Sequence, residues 1–153
     1  MKFVTISKEF FDLCGADAEL LQKGDRRPHL LVLALKYKSE KYRFAVPLRS
    51  NIPPNVPRSQ FFALPPRPTT KPRHRHGLHY IKMFPILPQY QERFIVSADS
   101  PYALYQSIID KNSAKIVAEC QAYLDDYTST GRPEYAVDID AILDKLHSAD
   151  HTV

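Results

Sequence analysis

The sequence is short of glycine, with 4 in 153 residues. That leaves no Gly-rich loop of the kind that cradles a nucleotide phosphate. Its two cysteines, Cys14 and Cys120, stand far apart and in no zinc-like spacing with histidine, which argues against a structural zinc site. They read as buried free thiols, with a single disulfide as the alternative. No apolar run approaches the length of a membrane span, and the N-terminus carries no signal-like apolar stretch. A cytoplasmic protein with no membrane partner is therefore expected. There is no Gly-x-Ser-x-Gly elbow to activate a serine. The most informative absence is of acid. From Lys41 to Gln91 there is no Asp or Glu, against nine Lys and Arg.

The flanks differ. Residues 1–40 carry seven basic and six acidic residues, and residues 92–153 carry five and eleven. The formal net charge of +4 and pI near 9.0 thus average over a strongly basic middle. Such a stretch sets up a positive potential whose natural partner is a polyanion. Prolines punctuate the same region. Of 13 in the chain, ten fall between Pro47 and Pro88 and break it into turns and extended pieces.

At 153 residues and 44% apolar content, one domain spanning 1–153 with a real core is expected. Lys2 to Ile6 reads as a first strand, and Ser7 as the cap of a short helix carrying Phe10, Phe11 and Leu13. Asp17 to Arg27 reads as loop, with Lys23, Arg26 and Arg27 as possible extensions of the basic region. His29 to Leu35 is an apolar run suited to a central strand, followed across Lys38-Ser39-Glu40 by a strand from Lys41 to Val46. Ile52 to Pro72 has no sustained period and reads as a long ordered loop or a short irregular element, with Phe61, Phe62 and Leu64 as residues that could pin it to the core. His76 to Phe84 and Tyr90 to Val96 read as two further strands. From Ser100, a cap followed by Pro101, the pattern turns helical, with a break at Asn112-Ser113, a stop at Gly131 and a last helix from Ile139. The expected fold is α+β: a twisted, mainly antiparallel sheet of about five to six strands, with helices packed on one side.

Within the basic middle, Leu48-Arg49-Ser50-Asn51 follows the end of a strand, a common place for functional side chains. Taken alone, Ser50 is a turn serine. Arg49 beside it can hold a phosphate through a bidentate fork. The run His74-x-His76-x-x-His79 has the residue type for metal binding. Arg73 and Arg75 would repel a dication, however, and no carboxylate is near in sequence. The same histidines could instead line an RNA groove, or one could serve as general acid or base, and the sequence does not choose among them. Tyr37, Tyr80 and Tyr102 are candidates to stack unpaired bases.

The opening Met1 to Ser7 resembles the start of the ToxN/AbiQ endoribonuclease toxins of type III toxin–antitoxin systems. Lys41-Tyr42 through Pro47-Leu48-Arg49-Ser50 is similar to that family's strand ending in Pro-Leu-Thr-Ser. Leu78 to Ile86 is similar to its following strand, and Pro101-Tyr102 with Asn112-Ser113-Ala114-Lys115-Ile116 to its helices. The resemblance implies a compact sheet-and-helix fold and metal-independent RNA cleavage leaving a 2′,3′-cyclic phosphate, with no cofactor. It also implies inhibition by a small, repeated, folded RNA antitoxin in a closed protein–RNA assembly.

By position, Ser50 matches the family's active-site serine. Arg49 stands where threonine is usual, and Ile52 where a lysine often follows. Arg49, Lys82 or an arginine of the 58–75 loop are the candidates to replace that lysine, the alternative being altered chemistry. Arg43, Arg58, Lys71, Arg73, His74, Arg75, His76, His79 and Tyr102 are the expected RNA contacts, with RNA rather than DNA as the partner.

RNA self-cleavage requires loss of the 2′-OH proton, stabilisation of phosphorane charge and protonation of the leaving 5′-oxygen. Arginine suits the second task, histidine the first and third, and serine can orient the phosphate or relay a proton. Two other classes remain open: a non-catalytic RNA-binding module using the same basic patch, and a protein-interaction domain whose proline-rich segment docks a partner in extended form.

Overall fold

The longest strand, β3 (Glu40–Ile52), is the spine of the molecule and carries the Leu48 to Asn51 stretch. The structure, a computed structural model, describes residues 1–21 and 26–151; Lys23 lies outside them. The other strands are β1 (Lys2–Ile6), β2 (His29–Tyr37), β4 (Phe61–Leu64), β5 (Arg75–His79), β6 (Phe84–Pro85) and β7 (Gln91–Arg93). They form one sheet in the order β4-β5-β3-β2-β1-β7, with β6 on β3 beside that path. Every pairing is antiparallel. The helices are α1 (Lys8–Cys14), α2 (Pro101–Lys111), α3 (Ser113–Thr130) and α4 (Ile139–His151). The fold is thus α+β, as the sequence implies.

Strand alternation sorts the core into two layers. Leu30 and Val32 of β2, with Phe44, Val46 and Leu48 of β3, pack with Tyr105, Ile109, Ile116, Cys120 and Leu124 of α2 and α3. The interleaved Leu31 and Ala45 pack with Phe10 and Cys14 of α1 and with Ile142 and Leu146 of α4. The expected helical layer is therefore formed by α2 and α3, and α1 and α4 add a second on the other face. The continuous apolar run of β2 is the sequence signature of burial on both faces. Both cysteines are free and buried, one in each layer.

The β2–β3 hairpin turns on Lys38 and Ser39, whose φ angles are 49° and 73°. A two-residue turn with both centres left-handed matches strand twist, but it normally takes Asn or Gly. Here α4 supplies the support. Asp140 accepts hydrogen bonds from the Tyr37 hydroxyl and the Lys38 ammonium, both at 2.8 Å. Beyond Val32, β2 outruns β1, whose last paired residue on β2 is Leu31. Gln121 of α3 covers that edge by bonding both the N–H and the C=O of Lys36, at 2.9 and 2.8 Å.

Four local expectations are corrected. His76 to Phe84 is not one strand. β5 ends at His79, residues 80–82 make a 3-10 turn, and the chain resumes pairing only at Phe84. The turn breaks the alternation, so Leu78 and Tyr80 join one core layer and Phe84 the other. The stretch from Ile52 to Pro72 is not loop throughout, because Phe61 to Leu64 pair with β5 and bury Phe61, Phe62 and Leu64. Finally, Ser7 and Ser100 occupy N-cap positions, but neither side chain makes a capping hydrogen bond. Tyr90 to Val96 contributes only Gln91–Arg93 to the sheet.

Candidate functional site

The edge of β3 that faces β5 is irregular where the sequence drew attention. Arg49 pairs with Gly77 and Ile52 with Arg75, so three steps on β3 oppose two on β5. Ser50 and Asn51 lie in the resulting bulge, a device that re-aims side chains and recurs beside active sites. Gly77 is obligatory opposite it, since a Cβ there would lie 2.0 Å from the Phe62 carbonyl oxygen. Ser50 is half-buried, and its hydroxyl makes no hydrogen bond with the described residues. Asn51 ties down the basic loop. Its amide donates to the Thr69 carbonyl at 3.3 Å and its oxygen accepts from the Lys71 N–H at 2.7 Å.

Arg49, His79 and Lys82 line one cleft of about 620 Å³, with Glu19, Gln60, Glu134, Tyr135 and residues of the 53–57 loop. Arg49 is half-buried, and its Nη1 donates to His79 Nδ1 at 3.3 Å. Because a guanidinium only donates, Nδ1 must accept and the imidazole proton sits on Nε2. Nε2 is buried and without a hydrogen-bond partner. Burial first, then the charges of Arg49 and Lys82, push the His79 pKa down to about 3. His79 is therefore neutral at physiological pH and orients Arg49, with its one lone pair already engaged. It is not poised as a general acid or base in the free protein.

None of the positions expected to supply a second cation offers an uncommitted one in the cleft. Ile52 is fully buried, so position 52 belongs to the core in this chain. Lys82 shares the cleft, but its ammonium is bonded to Glu19 at 2.8 Å and to the Tyr135 carbonyl at 2.7 Å. Its side chain is only 8% exposed. Arg58 is committed elsewhere, to the Phe61 carbonyl and, at 3.7 Å, to Glu119 of α3.

Sequence reasoning gave too little weight to Arg27. Its Nη1 donates to the Leu48 carbonyl at 3.0 Å, which brings its guanidinium to the Arg49 stretch. Burial, and next the charge of Arg49, lower the Arg27 pKa. Two guanidiniums thus repel one another here, and Arg49 has no carboxylate partner among the described residues. An anion bound at Arg49 would relieve that repulsion. Its local pattern marks Arg27 only as part of a basic loop, because a contact 21 residues along the chain creates its role.

The remaining expected contacts scatter. Lys71, Arg73 and Arg75 are exposed on the loop and on β5, and His74 is half-exposed with its ring bonded to the Pro72 carbonyl at 3.1 Å. His76 is a correction, being only 1% exposed. Its Nδ1 donates to the Pro65 carbonyl at 2.8 Å and its ring lies against Tyr105, so it belongs to the interior. The three histidines of the cluster thus point to three different partners. Tyr102 is half-buried, with Arg67 over its ring and bonded to its hydroxyl at 3.2 Å. Arg43 is half-buried and reaches Gln91 at 3.4 Å. Of the two other stacking candidates, Tyr37 and Tyr80 are both buried.

No family model matches the chain, and no curated protein sequence does. Solved structures do. A protein of a bacterial antiviral system regulated by a processed non-coding RNA aligns over 97% of this chain and 98% of its own, with TM-score 0.68 and 20% identity. A type III toxin–antitoxin structure showing selective toxin inhibition by a non-coding RNA pseudoknot aligns over 98% of each chain, with TM-score 0.72 and 20% identity. AbiQ, a lactococcal anti-phage endoribonuclease of a type III toxin–antitoxin system, aligns over 97% of each chain, with TM-score 0.73 and 13% identity. The chain has the fold of type III toxin–antitoxin toxins along nearly its whole length.

Proposed function

We propose that the chain is a ToxN/AbiQ-type endoribonuclease toxin: a single domain acting on RNA in the cytoplasm and held inactive by a small folded RNA in a closed protein–RNA assembly. The observation that carries this reading is Arg49. It is a half-buried guanidinium with no carboxylate partner among the described residues, braced by neutral His79, close to Arg27 and next to the bulge that holds Ser50. The shared fold with an endoribonuclease and with an RNA-inhibited toxin supports it.

In this scheme the scissile phosphate sits against Arg49, with Arg27 adding positive potential. Charge that develops on the phosphorane is met by donors already in place, which costs no reorganisation at the moment of reaction. His79 fixes the Arg49 fork. The Ser50 hydroxyl, which makes no hydrogen bond with the described residues, orients a non-bridging oxygen, while solvent water takes the 2′-OH proton and supplies one to the leaving 5′-oxygen. Lys82 acts at one remove, holding the cleft wall through Glu19 and Tyr135. The exposed cations Lys71, Arg73 and Arg75 steer the polyanion toward the cleft.

The test is expression of the chain without its RNA inhibitor, followed by mapping of cleaved ends. Growth arrest with 2′,3′-cyclic phosphate ends, relieved by Ser50→Ala at equal expression, is expected. A fully toxic Ser50→Ala variant overturns the assignment of Ser50. The engagement of His79 with Arg49 favours one second reading, a non-catalytic RNA-binding module. That reading predicts salt-sensitive RNA binding and intact RNA on prolonged incubation with the purified protein.

A further inference from the structure

Tyr135 is the only exposed aromatic among nine tyrosines and eight phenylalanines, at 63% exposure. It lines the cleft that holds Arg49. Its φ of 66° is left-handed, a conformation that suits glycine or asparagine and strains a bulky residue. The surroundings hold it there. The Tyr135 carbonyl accepts from the buried Lys82 ammonium at 2.7 Å, and Lys82 is itself anchored to Glu19. The next two residues, Ala136 and Val137, are buried, and the Val137 N–H donates to the Ile81 carbonyl at 3.2 Å. The neighbouring residue, Glu134, also lines the cleft. An apolar ring is thus held in solvent on a backbone fixed to the interior. Packing does not explain it, because the ring packs against little.

We propose that Tyr135 is a specificity-determining platform that stacks the unpaired nucleobase adjoining the phosphate held at Arg49, an inference that rests on the reading of the cleft as an RNA site. The division of charge in the cleft fixes which part of the nucleotide goes where. Glu134 stands beside Tyr135 and disfavours a phosphate there, and Lys82, the nearby cation, is already paired with Glu19, whereas Arg49 has no carboxylate partner among the described residues. The uncharged face of a base is the part of RNA that suits an exposed ring beside a carboxylate.

The chain contains no tryptophan, so Tyr135→Trp places a single fluorescent reporter at the proposed platform. The probe is a pool of mixed-sequence 2′-O-methyl octanucleotides, which cannot be cleaved through the 2′-oxygen, compared with an abasic oligomer of the same length. Filter binding reports association independently of fluorescence. Strong quenching by the base-bearing pool and none by the bound abasic oligomer is the expected result. Binding of the base-bearing pool with no change in emission overturns the platform while leaving the RNA reading intact. Absence of binding overturns both. In a second arm, Tyr135→Ala should raise KM roughly 5- to 150-fold, the range of one base stack, and redistribute cleavage positions while kcat is kept. Tyr135→Phe should behave as the parent. An unchanged KM and cleavage pattern in Tyr135→Ala would also overturn the proposal.

Discussion

Two of the three buried histidines, His29 and His79, should make the protein acid-sensitive well above the range in which carboxylates titrate. His29 is fully buried, with its Nδ1 donating to the Arg27 carbonyl at 3.0 Å and its ring edge-on to Phe84. Burial drives its pKa down to about 3, as it does for His79. Both groups are held neutral in the folded state. Their contribution to stability is complete above the unfolded pKa of 6.5 and is lost as pH falls from there toward 3. At pH 5 the unfolded chain has taken up nearly one proton at each site and the folded chain almost none. The loss relative to pH 8 is about 2 kcal/mol per histidine, or about 4 kcal/mol together. That is a large share of the ~5–15 kcal/mol that a domain of this kind has to lose. Urea denaturation at pH 7.5 and pH 5 measures it. His29→Asn keeps a donor near the Nδ1 position but does not titrate, so it should remove about 2 kcal/mol of the pH-dependent drop whatever its effect at pH 7.5. Equal midpoints for the parent protein at the two pH values would refute the assignment of both histidines as neutral and buried.

Three substitutions test the frame around the cleft. Ser39→Gly relieves a left-handed residue at an exposed turn and should stabilise the protein by roughly 0.5–1 kcal/mol, raising Tm by about 2 °C; a lower Tm would contradict the turn geometry. Gly77→Ala forces a Cβ against the Phe62 carbonyl and should cost about 3 kcal/mol in chemical denaturation, a neutral result being incompatible with the β4–β5 approach. Asn51→Ala releases the 69–71 loop from β3 and should speed hydrogen exchange at the Lys71 amide about tenfold while leaving core amides protected.

Much of the fold is legible in the chain because its periods are clean. The unbroken run from His29 announces a strand buried on both faces, and the spacing of Ile116, Cys120, Tyr123 and Tyr127 announces α3. The errors fall where tertiary contacts override the pattern. Residues 80–82 alternate like a strand, yet the chain turns there, and Lys82 reaches Glu19 and the Tyr135 carbonyl. The site divides in the same way. Arg49 was visible because it sits beside Ser50 in an acid-free stretch. Arg27 stands out only as part of a basic loop and Tyr135 not at all, because Arg27 meets the Leu48 carbonyl, and Tyr135 the cleft, from distant segments. The histidine cluster misled, since residue type says nothing of burial: His76 and His79 are both interior. Nor does the sequence show a bulge, which alone explains how Ser50 and Asn51 sit between the regular pairs at Arg49 and Ile52.

The central claim is that Arg49 stabilises the charge of a phosphoryl transition state in this cleft. The direct measurement is single-turnover cleavage of RNA by purified protein in EDTA, comparing the parent with Arg49→Ala after matched folding by circular dichroism. The account predicts 2′,3′-cyclic phosphate products from the parent and a fall in cleavage rate of roughly 10²–10³ in the variant, the cost of removing one pre-placed donor to a developing oxyanion. A variant that cleaves at the parental rate would contradict it.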